Sequence, residues 1–188
     1  MKRTFIAIDI AASEKLKESY DRIRHCLRYE KINWVAVDQL HITLNFLGDT
    51  EEEKLPEMVQ GIGRILSGQP SFEIVLRSLG VFRSLRDPRV IWIGCDPGVS
   101  LPEIKQGLDT VLSGLGFKQE NREFSPHLTI GRIKGMRQQN QLSQLISSLI
   151  DVTFQKQVID HVVLYESKLM PDGPVYTAIQ HFPLNRPD

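Results

Sequence analysis

His41-Ile42-Thr43-Leu44 and His127-Leu128-Thr129-Ile130 are two copies of one tetrad, His-x-Thr-x with apolar residues in both x places. On a strand, successive side chains point to opposite faces, so each His shares a face with the Thr two residues on. Ile42 with Leu44, and Leu128 with Ile130, share the other face. One face is therefore apolar core, and the opposite face carries an imidazole beside a hydroxyl. The copies stand about half of the 188-residue chain apart, which reads as a duplicated unit delivering one such strand from each half. Two matched histidines at one site are the expected result.

The same order of elements runs outward from both tetrads. Residues 4–10 read as a buried strand, and Ser13 as the N-cap of an amphipathic helix with Leu16, Tyr20, Ile23 and Leu27 inward. Short strands at 33–37 and 40–47 follow, the second carrying the first tetrad. Thr50 with Glu53 forms a capping box for a second helix built on Leu55, Met58, Val59, Ile62 and Leu66, its start displaced by Pro56. Residues 72–79 alternate as a half-buried strand. In the second half, 90–95 is a strand and Ser100 with Glu103 a capping box, opening a helix on Ile104, Leu108, Val111, Leu112 and Leu115. Residues 117–125 lead into the second tetrad strand. A fourth helix runs through Leu142, Leu145, Ile146 and Leu149, and strands at 158–166 and 175–182 flank a Met170-Pro171-Asp172-Gly173-Pro174 turn. Strands and helices thus alternate twice in the same order, a degenerate internal repeat within a single domain, with halves at about 1–85 and 86–188.

Bulk composition narrows the function classes. A chain of this size buries roughly 70% of the surface it exposes when unfolded, and 41% hydrophobic with 24% charged residues is the composition of a folded soluble protein. The 23 basic and 23 acidic residues cancel, whereas a protein that coats duplex nucleic acid would be basic, so contact with nucleic acid is expected to be local. Cys26 and Cys95 form no CxxC pair, which fits a reducing, cytoplasmic setting. Asp9 interrupts the N-terminal apolar run, and no segment reaches the roughly 18 apolar residues of a membrane span. Neither a phosphate-binding G-x-x-x-x-G-K-[ST] loop, nor a dinucleotide fingerprint, nor a G-x-S-x-G elbow occurs.

The tetrads carry the chemistry. Imidazole, with an unperturbed pKa of about 6.5, holds both protonation forms in reach near neutrality. Of two facing one pocket, one can take a proton from water while the other gives one to a leaving oxygen. Each threonine hydroxyl can donate to a phosphoryl oxygen on the same face. That is sufficient for in-line attack on a phosphodiester, above all a strained cyclic one. A metal site is the rival use of two histidines, but no Asp or Glu sits on the tetrad faces, and Asp49 and Glu123 are expected off the tetrad strands, so none is expected. His25, His161 and His181 have no threonine at plus two and read as structural.

Arg132 and Phe46 each stand five positions past a tetrad histidine. On a regular strand an odd offset puts both on the opposite face; a bend near Gly48 and Gly131 would bring them to the pocket rim, to grip a phosphate and stack on a base. Both readings stand: rim contacts, or a core phenylalanine and a solvated arginine. Arg83, Arg86, Arg89, Lys134 and Arg137 likewise read either as a local positive patch for an RNA end or as solvated loops.

With these residues the chain resembles the 2H phosphoesterase superfamily, named for its paired His-x-Thr/Ser-x motifs, and within it the bacterial RNA 2′,3′-cyclic phosphodiesterases, long called 2′-5′ RNA ligases. The resemblance rests on residues 3–8 (Arg-Thr-Phe-Ile-Ala-Ile), 40–48, 88–94 (Pro-Arg-Val-Ile-Trp-Ile-Gly), 125–132 and 164–167, with Tyr176 near the end. It implies an α+β fold of two pseudo-symmetric lobes, each an antiparallel sheet with helices packed outside, enclosing a central cleft. It further implies hydrolysis of a terminal 2′,3′-cyclic phosphate to a 2′-phosphate without metal, ATP or other cofactor. In it, His41 is the proton donor to the departing 3′ oxygen and His127 the proton acceptor from water. Thr43 and Thr129 bind the phosphate, and Arg132 and Phe46 the nucleotide. Run in reverse with an RNA 5′-hydroxyl, the same pocket makes a 2′-5′ linkage. The expected partners are RNA 3′ ends or nucleotides bearing a cyclic phosphate, and the expected state is a monomer. Alternatives are a phosphodiesterase for small cyclic or 2′-5′-linked nucleotides, and a non-catalytic module that binds RNA ends. Many relatives carry a basic residue where Asn45 stands and a proline near Val37, departures that touch substrate preference.

Overall fold

Because the side-chain period of a strand is two, a slip of one residue in either tetrad would turn its histidine and its threonine into the core. Ile42, Leu44, Leu128 and Ile130 hold the register instead: each is at most 4% exposed, and each such burial contributes about 1.5–3 kcal/mol. A computed structural model describes residues 1–118, 123–171 and 173–185. The expected lead-in at 117–125 and the turn around Asp172 lie partly outside these residues.

The elements run β1 (Lys2–Asp9), α1 (Glu14–Cys26), β2 (Lys31–Trp34), β3 (His41–Thr50), α2 (Leu55–Leu66), β4 (Phe72–Phe82), β5 (Val90–Asp96), α3 (Ser100–Gly114), β6 (His127–Gly135), α4 (Gln139–Ser148), β7 (Thr153–Ile159), β8 (His161–Met170) and β9 (Gly173–Pro183). They build two antiparallel sheets, one of four strands ordered β3-β1-β8-β9 and one of five ordered β2-β6-β5-β4-β7. Each tetrad strand thus lies in a different sheet. Helices α2 and α3 pack on the four-stranded sheet through β9 and β3, and α1 and α4 on the five-stranded one through β7 and β4. The pair α2 and α3 comes close because Gly61 lies against Val111 and Gly107 against Ile65. The α+β class with two sheet-and-helix lobes is as expected.

The lobes do not coincide with residues 1–85 and 86–188. β1 and β3 share a sheet with β8 and β9, and β2 and β4 share one with β5, β6 and β7, so each half of the chain contributes to both lobes. The physical reason is pairing across the repeat: β1 finds its second neighbour in β8, where Ile6 lies opposite Leu164 and Ala7 opposite Val163, all buried. A polar seam ties the lobes further. Gln155 on β7 accepts from the Ser13 backbone N–H at 2.7 Å and donates to the Ala11 carbonyl at 2.9 Å, and Gln157 donates to the Asp9 carbonyl at 2.9 Å.

Local signals fared unevenly. Ser13 caps α1 as its side chain accepts the Leu16 N–H, and Leu16, Tyr20 and Ile23 are its buried face. Thr50 caps nothing: its hydroxyl is buried against that of Thr4 at 2.7 Å, and a short 3₁₀ turn at Glu52–Lys54 precedes α2, which takes Pro56 into its first turn. Ser100 lies inside α3, whose N-cap is Val99. The expected strand at 158–166 is two strands, β7 and β8, broken at Asp160.

Candidate active site

His41 opens β3 and His127 opens β6, and in both the side-chain burial alternates, with the histidine and threonine half-buried and the residues between them buried. The two strands face each other between the sheets. His41, Thr43, His127, Thr129 and Arg132 line one cavity of about 810 Å³, closed on a further side by residues around the β8–β9 hairpin, including Pro174 and Tyr176.

The two imidazoles are held alike. His41 Nδ1 lies 2.8 Å from the carbonyl of Gln39, and His127 Nδ1 lies 2.8 Å from the carbonyl of Ser125. A carbonyl only accepts, so Nδ1 carries the proton and donates in both rings. Nε2 is left as the atom that takes or gives a proton. Aromatic rings back each imidazole: Phe82 meets His127 edge-on at 4.5 Å, and Phe5 and Tyr176 flank His41 at 5.1 and 5.2 Å.

Arg132 and Phe46 owe their positions to a matched pair of bulges. In the β5–β6 pair Trp92 lies opposite Thr129 but Ile91 opposite Gly131, so Ile130 is an extra residue. In the β1–β3 pair Ala7 lies opposite Thr43 but Ile6 opposite Asn45, so Leu44 is the extra one. One extra residue reverses the alternation beyond it. The side chain five places past each histidine therefore shares the histidine's face, opposite to regular-strand parity. Arg132 lines the cavity. Phe46 lies on the face of its partner Phe5, 47% exposed, with the Arg3 guanidinium 4.9 Å from its ring centroid, outside the cavity wall. The residue before each is turned inward. Asn45 Nδ2 donates to Asp109 on α3 at 2.6 Å. At Gly131 a Cβ would lie 2.9 Å from Ile32 Cγ2 and 3.0 Å from Trp34 Cε3, so only glycine lets β2 and β6 approach this closely.

Asp9 is the residue the sequence reading passed over. It lies opposite His41 in the β1–β3 pair, both its carboxylate oxygens accept from Tyr165 Oη at 2.8 Å, and His161 Nε2 is 3.6 Å away. Its signal was the single carboxylate ending an apolar run. Burial holds the His41 pKa below the ordinary 6.5; the bond to the Gln39 carbonyl and then the Asp9 charge push it up, and Arg132 pushes it down. Burial, then the bond to Asp9, pushes the Tyr165 phenol up, and burial does the same for Tyr176 against the charges of Arg132 and Arg3. Behind His41 a second hollow of about 650 Å³, lined by Asp9, Lys17, Tyr165 and others, continues from the cleft. Among the described residues no three His, Cys, Asp or Glu side chains gather as a metal site would require, and no helix is long and apolar enough to cross a membrane.

Two facing half-sites, each a histidine and a threonine on an antiparallel sheet, define a phosphoesterase of the paired-histidine type. The chain belongs to the LigT-like phosphoesterase family, whose profile matches residues 8–92 and again residues 93–176. The double match falls on the two halves in which the tetrads repeat. Curated relatives include the RNA 2′,3′-cyclic phosphodiesterases of Methanocaldococcus jannaschii, 41% identical with 96% of this chain and 99% of the relative covered, and of Methanothermobacter thermautotrophicus, 35% identical with 97% and 98% covered. Among solved structures, Escherichia coli LigT complexed with 3′-AMP superposes with a TM-score of 0.75 at 26% identity, covering 97% of this chain and 98% of that one. A Thermus thermophilus protein superposes at 0.80, also at 26% identity, with 98% of both chains covered. The expected class of enzyme, a phosphoric diester hydrolase, is the class of these relatives.

Proposed function

We propose that this protein hydrolyses a 2′,3′-cyclic phosphate at an RNA 3′ end to a 2′-phosphate. The observation that carries the reading is the matched pair of imidazoles, each with Nδ1 donating to a carbonyl two residues upstream and each on the wall of one cavity with a threonine beside it. Water attacks phosphorus as its proton passes to His127 Nε2. The bond from phosphorus to the 3′ oxygen breaks opposite, and that oxygen takes the proton of His41. Thr43 and Thr129 hydroxyls donate to the non-bridging oxygens, and Arg132 offsets the charge that builds on them. Phe46, stacked under Arg3 at the edge of the same face, meets the nucleotide outside the cavity. With an RNA 5′-hydroxyl in place of water as the nucleophile, the same displacement gives a 2′-5′ linkage, its proton passing to His127 and the 3′ oxygen leaving with the proton of His41. The reverse of that step cleaves the linkage back to the cyclic end. The names of the relatives support the substrate.

The test is a short RNA ending in a 2′,3′-cyclic phosphate, incubated with EDTA and without ATP, with the product identified. Conversion to the 2′-phosphate is expected, and His41→Ala and His127→Ala should each lose about 10²- to 10⁴-fold in kcat. Binding of the RNA end without turnover, or turnover that survives either substitution, overturns the reading.

A further inference from the structure

The chain is neutral overall, yet residues 83–89 and 131–139 together hold six basic residues and one acidic. These two segments meet at the end of β6. Arg86, Arg89 and Lys134 line one small hollow of about 120 Å³ with Asp87. Its size is about four times a liquid water's share of volume, room for a single phosphate group and too little for a nucleoside.

The local carboxylates are already engaged. Asp87 is shared by Arg83 at 2.6 Å and Arg89 at 3.1 Å, two guanidinium groups on one carboxylate. Glu30 accepts from the backbone N–H groups of Arg137 and Gln138 at 2.6 and 3.0 Å. Among the described residues neither Arg86 nor Lys134 has a carboxylate partner, which leaves a net positive hollow. Its place matters as much as its charge. Arg132 lines the catalytic cavity and Lys134 the hollow, and residues two apart on one face of a strand are separated by about 6.6 Å. A row of cations therefore leads out of the cavity along β6.

We infer that this row is a subsite for the phosphodiester backbone of the RNA upstream of the cyclic end, with one internal phosphate seated among Arg86, Arg89 and Lys134. The inference rests on the proposed reaction and deepens it: the substrate is an oligonucleotide held at two places. The Arg86 and Arg89 forks and the Lys134 ammonium supply charge-assisted donors without reading sequence.

The experiment compares the wild-type chain with Arg86→Gln/Lys134→Gln and with Lys156→Gln, a control on β7 that removes an exposed charge paired with Glu73. Two readouts are taken: the Kd of a fluorescently labelled hexanucleotide ending in a 2′,3′-cyclic phosphate, as a function of salt, and kcat/KM on that hexanucleotide and on a cyclic mononucleotide. The double variant is expected to flatten the slope of log Kd against log salt by about 1.4, the value for two lost single-strand contacts. It should lower kcat/KM on the hexanucleotide by at least about fivefold while the mononucleotide is unaffected. The control should match wild type. An unchanged salt slope, or equal losses on both substrates, overturns the subsite. Wild-type binding with the expected slope but no turnover of either substrate overturns the proposed reaction and leaves the subsite standing.

Discussion

Replacing Gly80 by alanine tests the packing that seats His127 from behind. Gly80 lies opposite Trp92 in the β4–β5 pair, and a Cβ there would stand 2.3 Å from Cη2 and Cζ2 of the indole and 2.8 Å from Cε2. Ordinary contact begins at 3.4 Å, so the ring must move by about 1 Å. It has little room. The Phe82 ring is 5.4 Å away, and Phe82 itself meets His127 edge-on at 4.5 Å, while Thr129 is the cross-strand neighbour of Trp92. Overpacking of this kind costs about 1–3 kcal/mol. For a chain of this length each kcal/mol lowers Tm by about 2–4 °C, so a fall of about 2–12 °C is expected in a thermal melt. Because the strain is passed to the ring behind His127, the proton acceptor of the proposed reaction, kcat/KM should fall by tens-fold, as displacements near 1 Å in a catalytic group do. Gly114→Ala, whose Cβ meets nothing within 4 Å, is the control and should be neutral or stabilising by up to about 1 kcal/mol. A Gly80→Ala protein melting within about 1 °C of wild type, with activity intact, refutes the steric chain from Gly80 to His127.

The position of the pH profile follows from the charges around His41. In the proposed reaction His41 gives the proton and must be protonated in the free enzyme, so kcat/KM is expected to fall as pH rises through its pKa, with that limb placed below 6.5 by burial. Asp9→Asn removes a group that raises this pKa and should move the limb to lower pH; Arg132→Gln removes one that lowers it and should move the limb up. Shifts in the same direction for both would contradict the assignment. On the outer face of β3, Lys105 donates to both oxygens of Asp109 at 2.5 Å with only 9% of its side chain exposed. Asp109→Ala strands that ammonium and the Asn45 amide, and urea unfolding should show a loss of about 2–4 kcal/mol, discounted for the partial exposure of Asp109; a loss below about 0.5 kcal/mol would mean that water reaches the lysine freely.

What the sequence discloses depends on how local the cause is. The tetrads, the buried run of β1, the alternating faces of β3 and the inward rows of α1 and α2 are written in residue spacing, and they read correctly. The face of Arg132 and Phe46 does not, because it depends on one extra residue, Leu44 or Ile130, that shows only against a partner strand. Asp9 becomes a neighbour of His41 only through β-pairing, and the hydroxyl of Thr50 serves Thr4 on another strand in place of its own helix. β7 went unread because its Gln155-Lys156-Gln157 centre is polar, yet two of those side chains are what the β1–α1 connection binds. The lobes cross the sequence halves for the same reason: pairing across the repeat leaves no trace in composition.

The interleaving of the two sheets also bears on motion. Following the chain through its described elements, it passes between the lobes six times: from β1 to α1, β2 to β3, α2 to β4, β5 to α3, α3 to β6 and β7 to β8. Hinge closure needs a small number of strands of chain at the pivot. Six crossings brace the lobes into one frame, so the distance between the two imidazoles is set when the protein folds and not when substrate arrives. The connectivity therefore favours a cleft whose width is carried by the fold itself over one that closes by swinging its lobes.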